Sequence, residues 1–380
     1  MKVCHLISGD LWAGAEVQAF TMIKSLATLP DMELSAIILN EGTLANKLKA
    51  TGIKVTVCDE SRLSFIKLYR TINQILNNDQ VDIVHSHRYK ENILAGLLKR
   101  AGTVGHLVKT VHGLSEVVGV KPQIKSRVFR IIDDFLTRRY FDKILPVSHD
   151  IKRVLQHRFD PSRVITIHNA IDPDIIKIIR SPETIRDELG IKPDQPVIGT
   201  AGRMVPIKGY DQFLQTAKII LESSPDTMFV IAGDGPLLDE LKHLASELDI
   251  ANKVIFTGFR EDIIDLINSF DLFLMSSYHE GIPMVILEAM SLGKMVVSFD
   301  VGGIGEIIDS GRSGFLVKAE DTSALANACL DIMGNNELKE QIASAVTDRI
   351  KDEFSIDSQR ERLEEIYSSL NTRTPVKTDL

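Results

Sequence analysis

The chain has 380 residues, more than one hydrophobic core usually organises, so two domains are expected. With 44% apolar and 25% charged residues the composition is that of an ordinary globular protein; no apolar run approaches the roughly 20 residues of a membrane span, and "MKVCHLIS" opens on a strand-like pattern rather than a signal peptide. The net charge is −8, yet residues 99–180 carry 16 basic against 8 acidic side chains, where the whole chain has 44 against 52, so this basic segment either meets an anionic partner or surface or simply presents solvated helix faces.

In chain order, "KVCHLIS" (2–8), "LSAIILN" (34–40), "KVTVCD" (54–59), "VDIVHSH" (81–87), "HLVKTVHG" (106–113) and "KILPVS" (143–148) predict buried strands, with helices between them at 15–28, 64–78 and 126–140. The alternation repeats with "PVIGTAG" (196–202), "TMFVIAG" (227–233), "KVIFTG" (253–258), "DLFLMSS" (271–277), "KMVVSF" (294–299) and "GFLV" (314–317). Apolar strands alternating with helices mean parallel sheets covered on both faces, hence two doubly wound α/β domains. The join is expected within 171–195, which is rich in Pro and Asp and lacks strand character. Residues 354–370 predict an amphipathic helix with Leu363, Ile366 and Leu370 on one side. Cys4, Cys58 and Cys329 have no metal-ligand spacing and read as reduced thiols of a cytoplasmic protein.

Ligands of open α/β sheets bind beyond the carboxyl ends of the strands, so the loops after the strands carry the functional reading. "SGDLWAGAE" offers Gly9 and Gly14 before a helix whose amides could hold an anion, but it lacks the G-x-G-x-x-G spacing and serves equally as a plain turn. His112, at a strand terminus before Gly113, is either a cleft residue or a structural His. "HSHRYK" (85–90), at the end of the fourth strand, offers His85, His87 and Arg88; without a carboxylate or Cys beside them a metal site is not indicated, and a cleft-lining role is preferred. In "GRMVPIKG", Arg203 and Lys208 flank a loop before a helix, an arrangement that suits a diphosphate. In "HEGIPMVILEAM", Glu280 lies in a loop and Glu288 on the helix that Pro283 starts. A carboxylate rarely sits among Val, Ile and Leu without a partner, and the diol of a sugar or ribose would supply one.

These residues carry a resemblance. The E-x7-E motif from Glu280 to Glu288, "GRMVPIKG", "AGDGP" (232–236), "FTGF" (256–259), "PVSHDIK" (146–152), "HNAID" (168–172), "GGIGEII" (302–308) and "GAE" (14–16) are similar, in order over nearly the whole chain, to the retaining GT-B glycosyltransferases of family four. The resemblance implies two Rossmann-like domains facing across a deep cleft. Residues 1–175 would form an acceptor-binding domain and 190–353 a nucleotide-sugar domain, with 354–372 a helix crossing back onto the first. It implies that Arg203 and Lys208, with amides at Gly14, hold the donor diphosphate, and that Glu288 takes the ribose hydroxyls. Glu280 and the amides around Gly281, Ile282 and Met284 would orient the sugar, His112 would lie beneath it, and Phe259 and Arg260 would flank the base. His87 and Arg88 are acceptor-side candidates. Departures from the family pattern are "WAGAE", where two adjacent glycines are frequent, Ala170 in "HNAID" and Gly305 in "GGIGE".

The expected activity is transfer of a sugar from a nucleotide-diphosphate sugar, UDP foremost, to a glycan or lipid-linked acceptor. It would proceed with retention and without metal or other cofactor, in bacterial surface polysaccharide or lipopolysaccharide assembly. The basic stretch 121–143, which mixes Phe, Ile and Leu with Lys and Arg, suggests a cytoplasmic protein resting on anionic lipid at the inner face of the membrane. The alternatives are a non-catalytic nucleotide-binding or scaffold protein of the same fold, and a nucleotide-sugar epimerase. A metal-dependent transferase is less favoured, because "DPD" (172–174) falls in the expected join rather than after a strand.

Overall fold

The computed structural model describes residues 1–9, 12–114, 124–172, 176–335 and 346–371. The chain divides into two compact units, Met1–Ala170 together with Ile356–Leu380, and Ile171–Ser355. The first unit holds a six-stranded parallel sheet: β1 (Lys2–Ile7), β2 (Glu33–Ile38), β3 (Lys54–Val57), β4 (Ile83–Ser86), β5 (His106–Val111) and β6 (Lys143–Pro146), in the order β3-β2-β1-β4-β5-β6. The second holds β7 (Val197–Ala201), β8 (Met228–Ala232), β9 (Val254–Gly258), β10 (Leu272–Met275), β11 (Val296–Phe299) and β12 (Phe315–Val317), in the order β12-β11-β10-β7-β8-β9. Every residue of β4, β7, β8, β10 and β11 is buried, so both faces of these strands are covered.

In each sheet the strand order reverses once, between β1 and β4 and between β7 and β10. The loops leaving these strands therefore part to opposite faces and open the crevice in which doubly wound sheets bind ligands.

The helix Ile356–Asn371 belongs to the first unit. Leu363, Ile366, Tyr367 and Leu370 are buried in the same cluster as Val3, Ile7 and Met22. The expected join is more structured than its composition suggested. Within it Pro182–Glu188 is helical, capped by Ser181, whose Oγ accepts from the Thr184 amide. Asp265 fixes the preceding strap to the second unit by accepting from the amides of Ile179 (2.7 Å) and Arg180 (3.2 Å), and the second unit starts at Ile171. All three cysteines are buried free thiols. Among the described residues no helix is long and apolar enough to cross a membrane.

Candidate active site

The second unit gathers its charged motifs at the strand reversal. β7 leads through Gly202 and Arg203 into a short turn, Pro206–Lys208, and then the helix Tyr210–Ser223. β10 leads through Ser276–Gly281 into the helix Met284–Ser291, which Pro283 precedes and no side chain caps. The two loops are stitched together: the Tyr278 amide donates to Ile207 O (2.9 Å) and Ser276 Oγ to Gly209 O (2.8 Å). Gly209 has φ +59, and a Cβ there would lie 2.1 Å from Ser276 O, so only glycine lets the strands' loops approach this closely.

This stitching brings Lys208 and Glu280 together across 72 residues of sequence. Lys208 Nζ donates to Glu280 Oε1 at 2.7 Å, and Ser277 Oγ donates to the same oxygen at 2.7 Å. The Glu280 side chain is only 11% exposed and that of Lys208 22%, so the pair is poorly screened by water. Ser277 was not anticipated; its signal was its position three residues before Glu280. The Gly303 amide donates to Glu280 O (3.1 Å), tying the loop after β11 to the same point.

Glu288 is half-buried on the helix that starts at this loop, and burial pushes its pKa up to about 7. Gly281, Ile282 and Met284 are buried at the start of that helix, while Arg203 is exposed on its loop. Phe259 is 61% exposed. Arg260 is ion-paired within the second unit. Its guanidinium donates to both oxygens of Asp262 (2.7 Å each) and to Glu188 (2.6 Å), a cluster that Arg180 joins. Its position beside Phe259 is thus fixed by ion pairing within the second unit.

The first unit has its own crevice residues. Gly14 opens the helix Gly14–Leu26 behind Ala13, with no side-chain cap. The first turn also carries Glu16, a buried carboxylate paired with Arg88 from the loop after β4. Arg88 balances the charge of Glu16 at this helix start. His112 follows β5, with its Nε2 3.2 Å from His87 Nδ1. His87 is also 3.0 Å from His5, a residue that sequence reasoning passed over because a single His within an apolar strand carries no motif. Glu91, also unanticipated, is a fully buried carboxylate in the first turn of the helix Tyr89–Arg100, and burial raises its pKa.

Two Rossmann-like units, one with a lysine–glutamate pair at its strand reversal and a second glutamate eight residues on, define a glycosyltransferase of the GT-B class. Comparison with known proteins agrees. Residues 12–175 match the family described as Glycosyltransferase Family 4, and residues 181–349 match Glycosyl transferases group 1. The chain is 26% identical, over 97% of its length and 96% of the relative's, to the Escherichia coli UDP-Gal:alpha-D-GlcNAc-diphosphoundecaprenol alpha-1,3-galactosyltransferase. It is 25% identical, over 77% of its length and 76% of the relative's, to the Bacillus anthracis N-acetyl-alpha-D-glucosaminyl L-malate synthase. Among solved structures, Anabaena HepE in complex with UDP-glucose superposes with a TM-score of 0.85 at 23% identity, over 97% of this chain and 100% of that one. The chain belongs to the glycosyltransferases of family 4.

Proposed function

We propose that this glycosyltransferase moves a sugar from a nucleotide-diphosphate sugar, UDP-linked, to a lipid-linked glycan acceptor, with retention at the anomeric carbon and without metal. The observation that carries the reading is the Lys208–Glu280 pair, a cation and a carboxylate 2.7 Å apart at the strand reversal. A diphosphate bound beside Lys208 gains charge as its bond to the sugar breaks. Fixed cations aimed at that charge lower the barrier, and Arg203 and Lys208 can do so without a metal ion. Glu280, with the amides around Gly281, Ile282 and Met284, orients the sugar, and Glu288 accepts from the ribose hydroxyls. The acceptor attacks from the face the phosphate leaves, and that phosphate takes the acceptor proton, so no general base is assigned. The name of the Escherichia coli relative, with its UDP-Gal donor and diphosphoundecaprenol-linked acceptor, supports a UDP donor and a lipid-linked acceptor. Surface polysaccharide or lipopolysaccharide assembly on the cytoplasmic side is the setting we infer.

A lipid-borne acceptor calls for a surface that rests on lipid. The helix Ile124–Tyr140 presents Val128, Ile131, Ile132 and Phe135 at i, i+3, i+4 and i+7, yet this stripe is 39–67% exposed rather than packed inward. Exposed Arg127, Arg138 and Arg139 lie on the same helix. Each basic residue near an anionic surface contributes about 1 kcal/mol, so the three together raise membrane partitioning about 10²-fold. Residues 121–123 of the basic stretch lie outside the described residues.

The test is a screen of UDP-, GDP- and ADP-sugars, with EDTA present, for slow hydrolysis and thermal stabilisation of the wild type and Glu288→Ala. A donor that stabilises and hydrolyses, with both effects lost in the variant, supports the reading; no response to any nucleotide refutes it in favour of a scaffold. Flotation with phosphatidylglycerol-containing vesicles checks the membrane face. Ile131→Asp/Phe135→Asp is expected to abolish binding, and unchanged binding would refute that part.

A further inference from the structure

The first unit gathers arginines at the end of the helix Ile124–Tyr140. That helix leads into β6, and the chain returns past it through the helix His149–Gln156 and the turn Pro161–Arg163. Arg163 donates to Arg138 O (3.0 Å) and Phe141 O (3.3 Å), carbonyls at the helix end that have no helical partner. Arg158 Nη2 donates to both oxygens of Asp134 on the same helix (2.6 and 2.7 Å). Held in this way, the segment 157–163 and the helix end enclose a cavity of about 290 Å³. Arg138, Arg158 and Arg163 line it, together with Thr137, His157 and Phe159.

Guanidiniums that share a cavity repel one another unless each is matched. Asp134 matches Arg158, and Arg163 has Asp160 at 3.7 Å. Arg138 has no carboxylate or hydrogen-bond acceptor among the described residues. Its guanidinium lies 5.9 Å from the centroid of the buried Phe159 ring, and that of Arg158 lies 5.6 Å from the same centroid. Lys109, 5.7 Å from this ring, is matched by Asp133. Three cations therefore surround Phe159 with two carboxylates, Asp133 and Asp134, to balance them. A bound oxyanion would supply the missing charge, and the fork of a guanidinium fits two oxygens of a phosphate.

Arg138 also continues the exposed stripe of its helix. Val128, Ile131, Phe135 and Arg138 follow at i, i+3, i+7 and i+10, so the apolar side chains run to the edge of the cavity. A helix lying on a bilayer sinks its apolar stripe to the boundary of headgroups and acyl chains. An arginine at the end of that stripe keeps its stem among apolar side chains while its guanidinium reaches the phosphates. The arginine that lacks a carboxylate thus stands at the level where phosphate is found.

We propose that this cavity is a phosphate site, in which Arg138 and Arg158, backed by Arg163, take the phosphate of an anionic phospholipid whose chains lie along the stripe. The lipid as its source rests on the membrane-facing reading of this helix given above; the phosphate site does not. A carboxylate-bearing partner is disfavoured because the stripe beside the cavity is apolar over more than two turns.

The test follows the arginine Nε–H signals of the full chain by ¹H–¹⁵N correlation, assigned through Arg138→Lys and Arg127→Lys. The probes are inorganic phosphate and dihexanoylphosphatidylglycerol below its micelle concentration. Both are expected to shift Arg138 and to leave Arg127, which is exposed on the same helix away from the cavity, in place. The lipid is expected to bind at least tenfold more tightly than phosphate, because its chains bury methylenes on the stripe. If neither probe shifts Arg138, the phosphate site is overturned without any variant having to fold. Equal affinities, or a lipid advantage that survives Ile131→Asp/Phe135→Asp, would overturn the lipid as the source and leave free phosphate as the ligand. Arg138→Lys, which keeps the charge but gives up the fork, is expected to weaken flotation with phosphatidylglycerol vesicles about tenfold, whereas Arg127→Lys leaves it unchanged. Wild-type flotation in Arg138→Lys would show that charge alone suffices and overturn the site. Failure of the wild type to float while phosphate still shifts Arg138 would refute the membrane face and the lipid source, and leave the phosphate site standing.

Discussion

Gly302 offers a severe test of how the Glu280 loop is held. It has φ +56, and a Cβ built there would lie 1.9 Å from Glu280 O. Ordinary contact needs about 3.5 Å, so in Gly302→Ala the two loops must separate by about 1.5 Å. Glu280 would be carried away from Lys208 and Ser277, which now hold it at 2.7 Å each. A misplacement of about 1 Å costs on the order of 10²-fold in rate, or about 2.7 kcal/mol of transition-state stabilisation. The left-handed backbone adds about 1–2 kcal/mol of strain for alanine, which lowers stability but not activity. Gly293 separates the two effects: it has φ +69 but nothing within 4 Å of its Cβ position. Gly293→Ala is therefore expected to lose about 1–2 kcal/mol in urea unfolding and to keep its turnover. Gly302→Ala is expected to lose that and about 10²-fold in kcat/KM for the donor. If Gly302→Ala folds and matches Gly293→Ala in kcat/KM, the contact between these loops does not position Glu280.

Four further outcomes can be checked. Lys208→Ala, which removes one preorganised cation, is expected to lower kcat by about 10²–10³-fold, as measured by UDP release. Because burial raises Glu288 from 4.5 to about 7, the unfolded chain ionises first as pH rises, so this group's favourable contribution is complete below about pH 4.5 and lost by about pH 7. Glu288→Gln is thus expected to match the wild type near pH 4.5 and exceed it by on the order of 3 kcal/mol above pH 7, read from the pH dependence of unfolding. Ribose hydroxyls donating to this carboxylate would favour its charged form, so calorimetry in buffers of different ionisation heat should find proton release on nucleotide binding near pH 7. Lys109 is buried 3.1 Å from Asp133, and burial lowers its pKa. Lys109→Met alone is expected to cost about 3–5 kcal/mol by stranding Asp133, whereas Lys109→Met/Asp133→Leu should recover most of it in urea unfolding.

The sequence by itself determined what is local. Short runs rich in Val, Ile, Leu and Phe announced all twelve described strands, most strongly where burial on both faces leaves a continuous apolar signal, as in β8 and β10. Arg203 with Lys208, and Glu280 with Glu288, stand out in the sequence because each couple lies within one loop or one loop and its helix. Only the tertiary structure decided which loops meet. Parallel strands are joined by crossovers, so neighbours in a sheet are remote in sequence and nothing local marks them. The placement of β7 beside β10 set Lys208 against Glu280. The placement of β1 beside β4 joined His5 to His87 across 82 residues, and the returning helix brought Tyr367 to His85 across 282. Arg260 is likewise held by Glu188, 72 residues away, a partner that nothing local announces. Side-chain chemistry was readable wherever its partner was a neighbour in the chain; where the partner came from another strand, only the order of the sheet could supply it.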